Sequence, residues 1–328
     1  MKSAVSGARQ HRAAVATLVV CTLLWSTAGV ATRQLEHADG FELTFWRSFA
    51  CVLFVTGYLV VTRRSRWLAV ITASGVPGII SGVMWAVMFT CFMIALTITT
   101  VAKTLVVMAV APLLTAVLAW LVLKERIALR TWLAVLVAGA GIIWMVRDGL
   151  QTGEGSSGLW GMLIAAGVPL ASAINLINMK RQQAKIDLVP AILIGGLISS
   201  LVMLPLIIPT RATAHDILVL SMLGVFQLGL PCILMIRAAR YLSPQETALL
   251  SLLEVVFGPL WAWLGAGEQP STATLYGGAL ILAALIANEL LAPKRPAFAA
   301  SAPGAAEPMA AASPVGSQAA RIRKSKPA

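Results

Sequence analysis

The sequence predicts an all-α integral membrane protein, with ten transmembrane helices laid out as two inverted five-helix repeats. Three observations carry that expectation. Of the 328 residues, 59% are hydrophobic and only 12% are charged, whereas a soluble chain is about 45–50% apolar and about 25% charged. The apolar residues fall into ten runs of membrane-crossing length. The two halves of the chain also echo each other at a constant shift.

A helix needs about 20 apolar residues to cross a hydrocarbon core of about 30 Å. Runs of that length occupy 13–31, 43–62, 76–97, 102–123, 129–146, 159–178, 188–208, 217–237, 246–265 and 272–291. Backbone groups in hydrocarbon must bond within the chain, which leaves helices or a closed barrel. The runs lack the strict alternation of barrel strands. The first run follows Lys2, Arg9 and Arg12 as a signal peptide would, yet it is too long for a signal-peptide core and no cleavage site follows. It is read as an uncleaved span. The third is the least regular, because 67–76 is also apolar and Gly75-Val76-Pro77-Gly78 interrupts it, as an interfacial turn leading into a span would.

Lys and Arg favour cytoplasmic loops. With the N-terminus inside and ten spans, only Arg33, Arg47, Lys103, Arg147 and Arg211 of the 25 basic residues fall elsewhere. Glu36, Asp39, Asp148, Glu154 and Asp216 mark the outer loops. The expected location is therefore the inner (plasma) membrane, multi-pass, with both termini cytoplasmic. The chain divides into a cytoplasmic N-terminus (1–12), a first repeat (13–147), a second repeat (159–292) and a disordered Ala-, Pro- and Ser-rich tail (293–328) whose basic end, 321–326, suits anionic headgroups or simple solubility.

The net charge of +12 would suit a nucleic-acid partner in a soluble protein. Here the basic residues sit in short clusters between apolar runs, so no nucleic acid is expected. Cys21, Cys51, Cys91 and Cys232 lie inside apolar runs without metal-ligand or CxxC spacing and read as small hydrophobes. His11, His37 and His215 are scattered. No metal site, cofactor or phosphate-cradling GxxxxGK[ST] loop is encoded, which excludes ATP drive, and no clustered His, Asp or Cys marks an enzyme.

The repeat is visible residue by residue. APLLTAVLAWLVLKER from Ala111 and EVVFGPLWAWLGAGEQ from Glu254 align at a shift of 143, which places Ala119-Trp120 on Ala262-Trp263 and Glu125 on Glu268. The same shift carries Ala95 to Ala238, Thr104 to Thr247 and Lys103 to Glu246. Five spans per half is an odd number, so the second half is inverted. Inverted halves that rock about a midplane site are a transporter device.

At this point the chain resembles the drug/metabolite transporter superfamily, in its ten-helix EamA-type members. The residues that carry the likeness are FWRSFA around Arg47, Ala95-Leu96, Pro112–Arg126, FQLG at Phe226–Gly229, Ala238–Leu253, LLEVVFGPLWAWLGAGEQPS at Leu252–Ser271 and TLYGGALILAAL on the last span. The likeness covers about residues 13–292. Val255 stands where the family usually has Pro, and Gln269 where it usually has Arg. The resemblance implies a secondary transporter of small metabolites such as amino acids or drug-like compounds, often an exporter, working by alternating access. Its partners are a small-molecule substrate, the lipid bilayer and protons as coupling ion, with a homodimer left open. A structural or sensory membrane subunit is the alternative.

Charge at the bilayer centre costs about 2.5–3.5 kcal/mol on insertion scales, so charged residues inside spans are the first site candidates. Glu254 lies about eight residues into span nine, roughly 12 Å at 1.5 Å per residue, near the midplane. It suits proton exchange or competition with substrate, or a structural hydrogen bond. Arg47 suits an anionic substrate group, a pair with Glu254, or snorkelling to the outer interface. Lys103 and Glu246, in first turns at opposite faces, are candidate gate charges or interfacial anchors. Trp25, Ser26, Asn175, Asn178, Gln227, Thr247 and Ser251 are polar or amphipathic candidates for the path. Thr247, Ser251 and Glu254 share one helix face, and Thr104, Met108 and Ala111 the equivalent one. Trp85 and Phe89, four apart, suit stacking on a substrate or plain packing. Glu125, Glu268 and Glu289 read as end-of-span residues beside solvent, and Gly78–Gly82 as a GxxxG contact.

Overall fold

A computed structural model describes residues 2–124, 128–151, 155–182, 187–238, 241–242 and 244–291, and the backbone alone at 2–8, 123, 149–151, 155–156, 179–180, 182, 244–249 and 289. The expectations for Glu125, Arg126 and the tail lie outside the described residues, as do those for the side chains of Glu246, Thr247 and Glu289. Among the described residues the structure is helical, with no strand. Eight helices are long and apolar enough to cross a membrane: α1 (Arg9–Thr32), α2 (Gly40–Ala73), α3 (Gly75–Ile98), α4 (Val101–Val122), α5 (Leu129–Asp148), α6 (Ser157–Asn178), α7 (Val189–Leu206) and α8 (Ala214–Ala238). Two further apolar helices, α9 (Pro244–Ala266) and α10 (Thr272–Leu290), complete ten passes.

The two-fold relation of the halves is written in the packing. When α1–α5 are matched in order to α6–α10, each principal contact between the halves has a counterpart. The α3–α7 contact mirrors α2–α8, α3–α6 mirrors α1–α8, and α4–α6 mirrors α1–α9, while α2–α7 and α5–α10 map onto themselves. This is the pattern of two inverted five-helix repeats related by a pseudo-two-fold axis. Large apolar side chains such as Val61, Leu136, Ile143, Leu201 and Leu264 point outward, the surface a lipid solvent requires. Cys21, Cys51 and Cys232 are buried free thiols within the packing.

Local chemistry explains where helices start and bend. Asp39 caps α2 and Thr213 caps α8, each through a capping box with an acid three residues on, Glu42 and Asp216. Thr100 caps α4, its hydroxyl accepting from the Lys103 amide. The interruption foreseen before the third span is the last segment of α2, Trp67–Ala73, set off by a 3-10 turn at Arg64–Arg66 and turning into α3 at Gly75, whose φ of +53° suits glycine. Four bends were not read from the sequence, the first in α1 at Thr27. In α4 the ladder breaks at Ala109–Val110, just before Pro112, which lacks an N–H. In α6 it breaks at Ala166. In α8 it widens to a π-helical stretch over Leu223–Gly229, the FQLG segment. By contrast the helix carrying Glu254 runs unbroken from Pro244 to Ala266, across Val255 and through Pro259.

Candidate functional site

The site is built where α1, α2, α3, α8 and α9 meet. Arg47 projects from α2 and is 2% exposed, so it does not snorkel to an interface. Its Nε and Nη2 both donate to Oε1 of Gln227, at 2.9 and 2.7 Å. Gln227 sits in the π-helical stretch of α8, and its Nε2 donates to the Trp25 carbonyl of α1 at 3.1 Å. The guanidinium lies 5.7 Å from the Phe92 ring centroid on α3, a cation–π distance. Its Nη1 is buried with no hydrogen-bond partner among the described residues. Close approach of α2 to α8 depends on Gly224, since a Cβ there would meet the Arg47 carbonyl oxygen at 2.4 Å.

Glu254 faces this centre from α9. It lies deep among the helices, in electrostatic reach of Arg47, yet its surface is only partly covered. The guanidinium's hydrogen bonds go to Gln227, so the expected Arg47–Glu254 pair is a through-space relation. One helix away, Ser26 donates to the Leu23 carbonyl at 2.7 Å and accepts from the Trp261 indole at 3.0 Å. Phe257 and Trp261 stack at 6.0 Å.

Trp85 and Phe89 form a tilted pair, 5.4 Å between centroids, in one apolar cluster with Trp25. Asn175 and Asn178 are engaged in joining α6 to α3: Ser81 donates to Asn175 at 2.6 Å, and Asn178 donates to the Pro77 carbonyl at 2.9 Å. Thr104 is buried and back-bonds to the Thr100 carbonyl at 3.0 Å, and Met108 packs on the core. Ser251 is partly exposed one turn before Glu254. Lys103, in the first turn of α4, is 1% exposed.

Glu268, at the end of its span and partly solvated, is held by two partners. Its Oε1 accepts the Val101 amide at 2.6 Å, and its Oε2 accepts Arg33 Nε at 2.9 Å. Arg33 also donates to the carbonyls of Leu96 and Thr99 at 2.9 and 3.2 Å. The cluster ties the ends of α1, α3 and α9 to the start of α4. The sequence reading also passed over Phe92, Trp261 and a buried hydroxyl chain, Ser48–Ser199–Thr90, at 3.1 and 3.0 Å. Phe92 had a signal: it follows Trp85 and Phe89 at helical spacing on one face.

Comparison with known proteins agrees with this architecture. The profile of the EamA-like transporter family matches residues 12–147 and again 159–288. The pseudopaline exporter CntI of Pseudomonas aeruginosa is 25% identical over 252 residues, which span 75% of this chain and 84% of that protein. The S-adenosylmethionine uptake transporter of Rickettsia prowazekii is 24% identical over 251 residues, 75% of this chain and 81% of that one. A solved crystal structure superposes with a TM-score of 0.62 at 19% identity, covering 87% of this chain and all of that one, a likeness of fold. The chain belongs to the EamA-like transporter family.

Proposed function

We propose that this member of the EamA-like transporter family is a secondary transporter that exports small metabolites, such as amino acids or drug-like compounds, across the inner membrane by alternating access. Glu254 exchanges the coupling proton, Arg47 and Gln227 form the polar floor of the substrate path, and Trp25, Trp85 and Phe89 supply its aromatic wall. Both termini are cytoplasmic. One observation carries the reading: Glu254 and Arg47, an acid and a base from opposite halves, lie among the helices within electrostatic reach of each other, with Glu254 only partly covered. A buried charge is expensive and is retained where a pathway needs it. The two named relatives move their cargo in opposite directions, so an assay must read both.

The test is flux in sealed proteoliposomes after a pH step, with a pool of labelled amino acids and cationic dyes inside or outside. Flux that follows the step and disappears in Glu254→Gln supports the reading. Folded protein that moves none of the pool in either direction, under any ion gradient, sinks it.

A further inference from the structure

At the end of the bundle opposite Arg63 and Arg237, the two halves are fastened by a reciprocal arrangement of carboxylates. Glu42, the third residue of α2, closes its own capping box by accepting the Asp39 amide at 3.2 Å. Its other oxygen reaches the loop before α8 and accepts Thr210 Oγ1 at 2.7 Å, the Arg211 amide at 2.6 Å and the Ala212 amide at 3.0 Å. Asp216, the third residue of α8, does the converse. It closes its own box by accepting the Thr213 amide at 3.2 Å. It then takes the amides of Glu36, His37 and Ala38, in the loop before α2, at 2.8, 3.1 and 3.1 Å. Thr213 Oγ1 adds a bond to Glu36 at 3.3 Å. Glu42 is 1% exposed and Asp216 is fully buried.

Each helix therefore uses the acid of its own cap to hold the loop that leads into its partner helix in the other half. All the acceptors are carboxylate oxygens and most donors are backbone amides, so the contact is strong only while both loops keep their shape. The far end is built differently. There a cleft lies between Tyr58, Arg63, Asp187, Ile236 and Arg237, crossed by an Arg63–Asp187 ion pair and an Arg237–Tyr58 hydrogen bond between exposed side chains. One end is stitched through main chain; the other is joined through side chains that reach solvent.

We propose that Glu42 and Asp216 are the closed gate of the transport path, a latch that must release when the halves rock so that the path opens at this end. The proposal rests on the transport reading above, and the experiment separates the two. Spin labels are placed in full-length protein in liposomes, in a background with the four native cysteines replaced. One pair sits at His37→Cys and Arg211→Cys across the latch, the other at Ser65→Cys and Tyr241→Cys across the cleft. Asp216→Asn keeps the shape but turns an NH₂ toward amide donors. Glu42→Gln and Thr210→Val are milder and remain readable where Asp216→Asn does not fold.

The expected result is a several-fold larger population with the latch labels far apart, accompanied by closer labels across the cleft. Unchanged distances at the latch in folded variants overturn the proposal. So does a latch that loosens while the cleft stays as it was, since that would be a local brace. Reciprocal movement in protein that carries no flux of any solute tried leaves the gate standing and overturns the transport reading instead.

Discussion

Arg47 and Gln227, 180 residues apart in the chain, share one oxygen: both Nε and Nη2 of the arginine donate to Oε1 of the glutamine. The glutamine is then turned by its own bond to the Trp25 carbonyl, so three helices fix the orientation of one buried cation. A neutral partner holds the guanidinium in place without cancelling its charge, which leaves that charge to act on Glu254.

Gln227→Leu removes the shared acceptor and strands two charged donors in the core. Losing a hydrogen bond to a buried charged group costs about 1.5–3 kcal/mol, so thermal unfolding in detergent should drop below wild type. Gln227→Glu should keep the fold by forming an ion pair, yet cut flux at least tenfold because the cation is then neutralised. A Gln227→Glu variant with full flux would show that the free charge has no part in transport.

Glu254→Gln should separate coupling from passage. The amide is nearly isosteric, so the unfolding temperature should stay within a few degrees of wild type. Flux driven by a pH step should fall at least tenfold while solute exchange without a gradient persists. Equal loss of both would make Glu254 a binding group and not a proton carrier.

Gly224→Ala places a methyl 2.4 Å from the Arg47 carbonyl oxygen, a backbone atom that cannot swing aside. Overpacking of this kind costs about 1–3 kcal/mol and here also pushes α8 from α2. Reduced yield of folded protein together with weakened flux is expected. Gly57→Ala, with open space around the added carbon, is the control that should change neither.

Arg33→Lys should weaken the clamp on Glu268. A lysine has one point charge where the guanidinium bonds Glu268, Leu96 and Thr99 in a fork. The site is partly solvated, so the loss should be on the order of 1 kcal/mol. It is measured as a shift in thermal unfolding, and an unchanged midpoint would make the clamp ornamental.

Orientation is tested by thiol labelling in intact cells. A cysteine at His37 should react with an impermeant maleimide from outside, and one at Ser65 only after the membrane is opened. The reverse pattern would turn the protein over.

The spans, the repeat and the family resemblance were legible in the chain, and so were Arg47, Gln227 and Glu254 taken singly. Their meeting was not. Nothing in FWRSFA or FQLG says that the arginine of one ends on the glutamine of the other, because side-chain direction depends on the π-helical widening of α8 and the close pass at Gly224. Glu42 and Asp216 show the converse. The spacings Asp39-x-x-Glu42 and Thr213-x-x-Asp216 are capping-box signals readable in one dimension, but their second role, holding each other's loop, depends on loops from different halves meeting in space.

What the sequence by itself determined is the solvent and the count: apolar length measured against bilayer thickness is a local quantity, and ten runs with a repeat at one shift leave little freedom. What only the tertiary structure decided is which polar groups meet. Those partners come from helices far apart in the chain, and a hydrogen bond exists only at separations of about 3 Å, a tolerance no pattern of hydrophobicity can specify.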